Sequence, residues 1–185
     1  MYYFPFMPLV YPPARLCFLL TLALPVAAAC TQEKNPDGKP ARPSPPAVVT
    51  GGSGAATFTI RYSRPSAKGR KIFGGLVPYG QVWRTGANEA TTFSVNQSVT
   101  VQGQPLPAGK YALFTIPDAQ QWTIIFNRTP NQWGAYEYQQ ADDVLRVKAT
   151  PAATPRTLEQ FLVTADKTGR VTLGWENTQV SFVVK

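Results

Sequence analysis

From Thr57 onward apolar and polar residues alternate with a period of two, as strands with one buried face do. Phe58, Ile60 and Tyr62 share one parity, and Thr57, Thr59 and Arg61 take the other. The pattern recurs in Trp122, Ile124 and Phe126, in Leu145 and Val147, in Val171, Leu173 and Trp175, and in Val180, Phe182 and Val184. Between these runs, SRP, PAG, IPD, NRTPNQ, TPAATP, DKTG and WENT supply turn chemistry. No amphipathic helix longer than two turns is expected, and residues 154–160 are expected to form one short turn. Roughly eight short strands without β–α alternation predict an all-β fold, an antiparallel β-sandwich with a long glycine-containing loop at one end. A closed barrel is the alternative.

The N-terminus follows a different pattern. Arg15 precedes the apolar run LCFLLTLALPVAAA, which ends at Cys30 and gives way to polar sequence. The run is shorter than the roughly 20 residues a membrane span needs, so it reads as a cleaved export signal. Ala27, Ala28, Ala29 and Cys30 resemble a lipobox, although leucine is more usual where Ala27 stands. An ordinary cleavage site before a free cysteine is the alternative. The opening MYYFPF also leaves Met7 as an alternative start that would make the signal more regular.

From Thr31 to Ala55, KPARPSPPA and TGGSGAA are too rich in Pro, Gly and Ser to bury much apolar area. The expected organisation is therefore a lipoprotein signal peptide over 1–29, acylated Cys30 with a disordered tether over 30–55, and one β-sandwich over 56–185. Cys17 leaves with the signal, so no internal disulfide is expected.

Composition narrows the chemistry. The chain has no histidine, and histidine is both the usual general base near neutral pH and the commonest metal ligand. With Cys30 acylated as well, Ser-His-Asp, Cys-His and structural zinc sites are excluded, and neither a metal nor a cofactor is expected. Carboxylates are few. Glu89 with Asp142 is the pair a glycosidase-type reading would use, whereas Asp142 and Asp143 are adjacent and on a strand would face opposite sides.

The formal charge is +8, and most of the excess lies past residue 56. Export argues against nucleic acid as the partner, which leaves lipid head groups, lipopolysaccharide, cell-wall polymers and acidic glycans.

Arg61, Arg64, Lys68, Arg70, Lys71 and Arg84 all precede the first acid of the domain, Glu89. Within this stretch the glycine-bearing loop from Phe73 to Ala90 lacks strand alternation, and such loops on a β scaffold commonly carry function. The candidate ligand site is Tyr79, Trp83, Arg84, Thr85, Asn88 and Glu89: two aromatic faces for stacking beside a fork of donors and acceptors. The alternative is a structural plug, with Trp83 in the core and Arg84 paired with Glu89 or Asp142. A second stretch, QWGAYEYQQADD, brings Trp133, Tyr136 and Tyr138 near Asp142, which suits carbohydrate or peptide contact, or a plain core edge.

The stretch KGRKIFGGLVPYGQVWRTGANEATTF, with LPAGKYALFTIP, WTIIFN, QWGAYEYQQADDVLRVK and WENTQVSF, resembles the bacterial domain-of-unknown-function family 2911 over nearly the whole of 57–184. The resemblance implies a fold unit and an exported compartment, and it supplies no catalytic residues. The functional expectation is a lipid-anchored cell-envelope module that binds a glycan, an anionic polymer or an envelope protein. The alternatives are a hydrolase using carboxylates without histidine and a structural envelope protein with no small ligand.

Overall fold

The computed structural model describes Met1 and residues 42–185; the signal segment, Cys30 and most of the tether lie outside the described residues. The architecture is a β-sandwich of antiparallel strands. Ten strands are described: β1 (Pro46–Ser53), β2 (Ala56–Ser63), β3 (Thr92–Val95), β4 (Val99–Val101), β5 (Gln104–Leu106), β6 (Gly109–Ile116), β7 (Trp122–Asn127), β8 (Asp143–Ala149), β9 (Pro151–Ala165) and β10 (Arg170–Val183). They form a six-stranded sheet in the order β1-β2-β3-β6-β7-β8, a long β9–β10 hairpin and a short β4–β5 hairpin.

The alternation in the sequence is the alternation of the sheet. Phe58, Ile60 and Tyr62 of β2 are buried, while Thr57 and Arg61 face solvent. The inward residues of the six-stranded sheet share one core with Phe161, Val163, Val171, Leu173, Trp175 and Phe182 of the β9–β10 hairpin. Phe58 stacks on Phe93 at 5.2 Å, and Phe126 meets Phe93 and Phe182 edge-on. Each such fully buried ring contributes about 1.5–3 kcal/mol through the water it sheds. The central strands β6 and β7 are buried on both faces, because Ala112, Phe114 and Ile125 form a second cluster on the outer face with Ala90. That is why their sequences run YALFTI and WTIIF rather than alternating cleanly.

Two expectations are corrected. The tether read over 30–55 ends before Pro46, since β1 pairs with β2 along its whole length, from Pro46 opposite Ser63 to Ser53 opposite Ala56. Ala47 and Val49 pack against the core at alternate positions, and Gly54, at φ 60°, opens the turn into β2. Gly51 leaves room for Phe58, whose ring a Cβ there would strike. Val and Thr provide the extended backbone that the Pro, Gly and Ser content conceals.

The second correction concerns residues 154–160, expected as a turn and found within β9. Register jumps from Glu176 opposite Leu158 to Thr178 opposite Ala153, so residues 154–157 bulge outward there. Pro155 falls in that bulge, where its missing N–H costs no ladder bond. Thr154 Oγ1 donates to the Glu176 carbonyl at 3.1 Å and Thr157 Oγ1 to Asn177 Oδ1 at 2.8 Å, which closes the irregular stretch. The one helical element among the described residues is a 3-10 turn, Gln140–Asp142.

Candidate functional site

The long loop between β2 and β3 closes one end of the sandwich and then turns onto the outer face of the large sheet. It first runs beside β9, with Ala67 N–H donating to the Glu159 carbonyl at 2.7 Å and Phe161 N–H to the Pro65 carbonyl at 2.9 Å. Ile72, Phe73 and Val77 are then buried in the core. Trp83 pairs with Thr115 of β6 through reciprocal backbone bonds of 2.7 and 2.9 Å.

The structure separates the six residues expected to act together. Trp83 is 7% exposed and lies among Phe73, Phe161 and Trp175, with its indole N–H donated to the Gly86 carbonyl at 3.1 Å. It offers no stacking face to solvent. Thr85 is fully buried at φ 56°, its hydroxyl donating to Thr115 Oγ1 at 3.2 Å and its carbonyl accepting from Thr91 Oγ1 at 2.6 Å. Asn88 stands at φ 60° and donates to the Ser44 carbonyl and to Ser63 Oγ, both at 3.3 Å. It thereby straps the segment before β1 to the loop.

Tyr79 lines a separate depression with Asp118 and Asn177. Arg84 is half-buried, and its Nε has no hydrogen-bond partner among the described residues. The pairing considered for it does not form: Glu89 is taken by Arg42, at 2.9 and 3.0 Å to its two oxygens, and Asp142 by Arg128 at 3.7 Å.

Of the six, Glu89 alone reaches the cleft that the outer face presents. This cleft of about 310 Å³ is floored by β1, β2, β3 and β6 and lined among others by Arg42, Arg61, Lys110, Thr92 and Glu89. Arg61 projects there because it has the outward parity of β2, between Val48 of β1 and Thr92 of β3. Lys110 pairs with Ser94 one step along the sheet and donates to Asn131 Oδ1 at 3.4 Å. No ion pair among the described residues involves Arg61 or Lys110. Three cations and one carboxylate thus line the cleft.

Glu89 is held below the usual carboxylate value, chiefly by a hydrogen bond from its own backbone N–H, with burial opposing and Arg42 adding to the shift. A lowered folded value means that any stability from this carboxylate is present above the unfolded value, near 4.5, and is lost as pH falls through the lower folded one. The pair with Arg42 is half exposed, so screening keeps its contribution below about 1 kcal/mol.

A second depression of about 240 Å³ adjoins the first, sharing Glu89, Ala90 and Thr92, and is completed by Pro130, Asn131, Gln132 and Trp133. The loop between β7 and β8 carries these residues and is stitched to the first loop. Ala90 N–H donates to the Gln132 carbonyl at 3.0 Å and Gly134 N–H to the Asn88 carbonyl at 3.1 Å. Trp133 is 59% exposed and Tyr136 85%. Tyr138 instead turns inward, packs edge-on against Phe114 and donates to Asp143 Oδ2 at 2.6 Å. Burial, then Asp143, pushes its phenol well above the ordinary value. Asp142 ends the 3-10 turn and Asp143 opens β8, with side chains 37% and 4% exposed.

The molecule is therefore a β-sandwich whose most chemically equipped surface is a basic cleft with an aromatic lip on the outer face of its large sheet. The family model for proteins of unknown function designated DUF2911 matches residues 44–184, and the chain belongs to that family. No curated protein and no solved structure matches it.

Proposed function

We propose that this protein is a binding module for an anionic polymer of the cell envelope, held in the outer-face cleft. The observation that carries the reading is the placement of Arg61 and Lys110, two cations without ion-pair partners among the described residues, on strands that floor a cleft also lined by Arg42. Self-repulsion disfavours gathering like charges, and an anionic ligand relieves it. The hydrolase reading finds no support at Glu89. A general acid needs a raised pKa, and this one is lowered by a direct donor and a cation. Its candidate partner Asp142 lines neither depression.

Binding of a polyphosphate or a carboxylated polysaccharide, measured by titration calorimetry, tests the reading. The double variant Arg61→Ala with Lys110→Ala is expected to weaken affinity by about 100-fold at low salt, near 1.4 kcal/mol for each tenfold step. The wild-type affinity should fall as salt rises. Glu89→Gln should tighten binding several-fold, because it removes the one carboxylate and frees Arg42. Equal affinity of wild type and double variant would sink the proposal.

The envelope location belongs to the same reading and rests on the N-terminal run and Cys30, which lie outside the described residues. A thioether to diacylglycerol at Cys30 would tether the module to a membrane. Cys30→Ser is expected to move the protein into the soluble fraction and to abolish labelling by a fatty-acid analogue. Unchanged membrane retention would count against the anchor.

A further inference from the structure

We infer that the depression under Trp133 is a saccharide subsite, so that the ligand of the adjoining basic cleft is an acidic glycan rather than a ring-free polyanion. The inference rests on the binding reading above and is carried by two neighbouring residues. Trp133 is 59% exposed, whereas Trp83, Trp122 and Trp175 are 7% exposed or less. Its backbone is clamped by the bridge to Glu89, with the bonds at Gln132 and Gly134 on either side. A large flat apolar face is thus presented on a fixed ribbon, which is what the C–H face of a pyranose stacks upon.

The second residue is Gln132, 5% exposed, whose Oε1 has no hydrogen-bond partner. The orientation of its amide follows from its neighbours. Asn127 Oδ1 accepts the Thr129 N–H at 3.1 Å, while Asn127 Nδ2 donates to the Gln139 carbonyl at 3.0 Å and to Asp143 Oδ1 at 2.9 Å. Gln132 therefore meets two acceptors, Asn127 Oδ1 at 3.3 Å and the Thr129 carbonyl at 2.7 Å, and must turn its NH₂ toward them. Its oxygen is left as an unpaired acceptor, closed off from solvent, on a residue that lines the depression, so a donor satisfies it only once a bound ligand shifts the cover above it. A deprotonated phosphate or carboxylate has no proton to give. A sugar hydroxyl has one, and it sits at the rim of the ring whose face would lie on Trp133. The subsite thus selects a hydroxylated ring, and the cleft beside it selects that ring's acidic neighbour.

The test uses three probes: a panel of neutral oligosaccharides of glucose and N-acetylglucosamine, uronic acid oligosaccharides of the same length, and linear polyphosphate. Acrylamide quenching of tryptophan fluorescence reports Trp133, the other three tryptophans being buried. At least one neutral oligosaccharide should protect Trp133 from quencher, and should do so equally in the variant lacking Arg61 and Lys110. Read by calorimetry, Trp133→Ala should weaken the uronic acid oligosaccharide tenfold or more and leave polyphosphate within twofold. Gln132→Met should weaken the neutral sugar about fivefold, in a protein whose melting has been checked, and the exposed Trp133 variant carries the test should that one not fold.

Polyphosphate and acidic oligosaccharide binding alike, with neither sensitive to Trp133→Ala, would overturn the subsite and leave the anion-binding reading standing. Neutral sugar binding through Trp133 with no polyanion binding would uphold the subsite and overturn that reading. Failure of all three probes to bind would overturn both.

Discussion

Trp83→Ala is expected to lose about 3–5 kcal/mol of stability, the usual cost of removing a large buried ring. The indole stacks on Trp175 at 6.0 Å and 17°, and meets Phe161 at 5.2 Å and Phe73 at 5.8 Å edge-on. Trp175 and Phe161 belong to strands β10 and β9, which hold those two rings back from collapsing into the space. The substitution also deprives the Gly86 carbonyl of the indole donor that holds the turn before Asn88 and Glu89. Tm should fall by roughly 10 °C or more. Trp133→Ala, by contrast, should change stability by less than about 0.5 kcal/mol, since that ring is largely in water. Thermal and urea melts of the two variants side by side make the comparison. A Trp83→Ala protein that melts within a degree or two of wild type would show that the loop is not part of the core.

The contrast between the two tryptophans also shows what a linear sequence reveals here. Both stand in stretches without strand alternation, beside glycine and polar residues, and composition leaves each of them open to a ligand or to the core. Which one is buried depends on where the loop between β2 and β3 crosses the end of the sandwich, a long-range property. The strands were legible because their period is local: Phe58, Ile60 and Tyr62 declare their face without reference to anything else. β1 was hidden because its pairing with β2 overrides a Pro-, Gly- and Ser-rich composition, and the start of β9 because Pro151 opens the strand and Pro155 falls in a bulge.

The cleft was legible only in parts. Arg61 could be placed on the outward side of β2, but its meeting with Lys110 arises from the register of β2, β3 and β6. Nothing local singles out Gln132. Its significance comes from an acceptor arrangement set by Asn127, Thr129 and Asp143.

That arrangement gives the second large effect. Asn127 closes β7, is fully buried and makes four hydrogen bonds, two through Nδ2 and two through Oδ1. Asn127→Ala should cost about 3 kcal/mol or more, because Asp143, with a side chain only 4% exposed, loses a donor while the Thr129 amide loses its acceptor. Asn127→Asp is the more informative change. It keeps the shape and Oδ1 but sets a second oxygen against Asp143 Oδ1 and the Gln139 carbonyl. Burial and the neighbouring carboxylate both disfavour ionising the new group, so its folded pKa is expected above the unfolded one. The folded variant then binds the proton more tightly, and its stability relative to wild type falls as pH rises through that folded value. Urea melts across a pH series should therefore show a deficit that is largest at neutral pH and shrinks on acidification, when the protonated acid can donate to Asp143. Adding Asp143→Asn should recover part of the loss at neutral pH, since the carboxylate and the amide have then exchanged places. A deficit that ignores pH and is not relieved by the second change would mean that Asn127 acts by packing alone, and that Gln132 is not oriented by the network described.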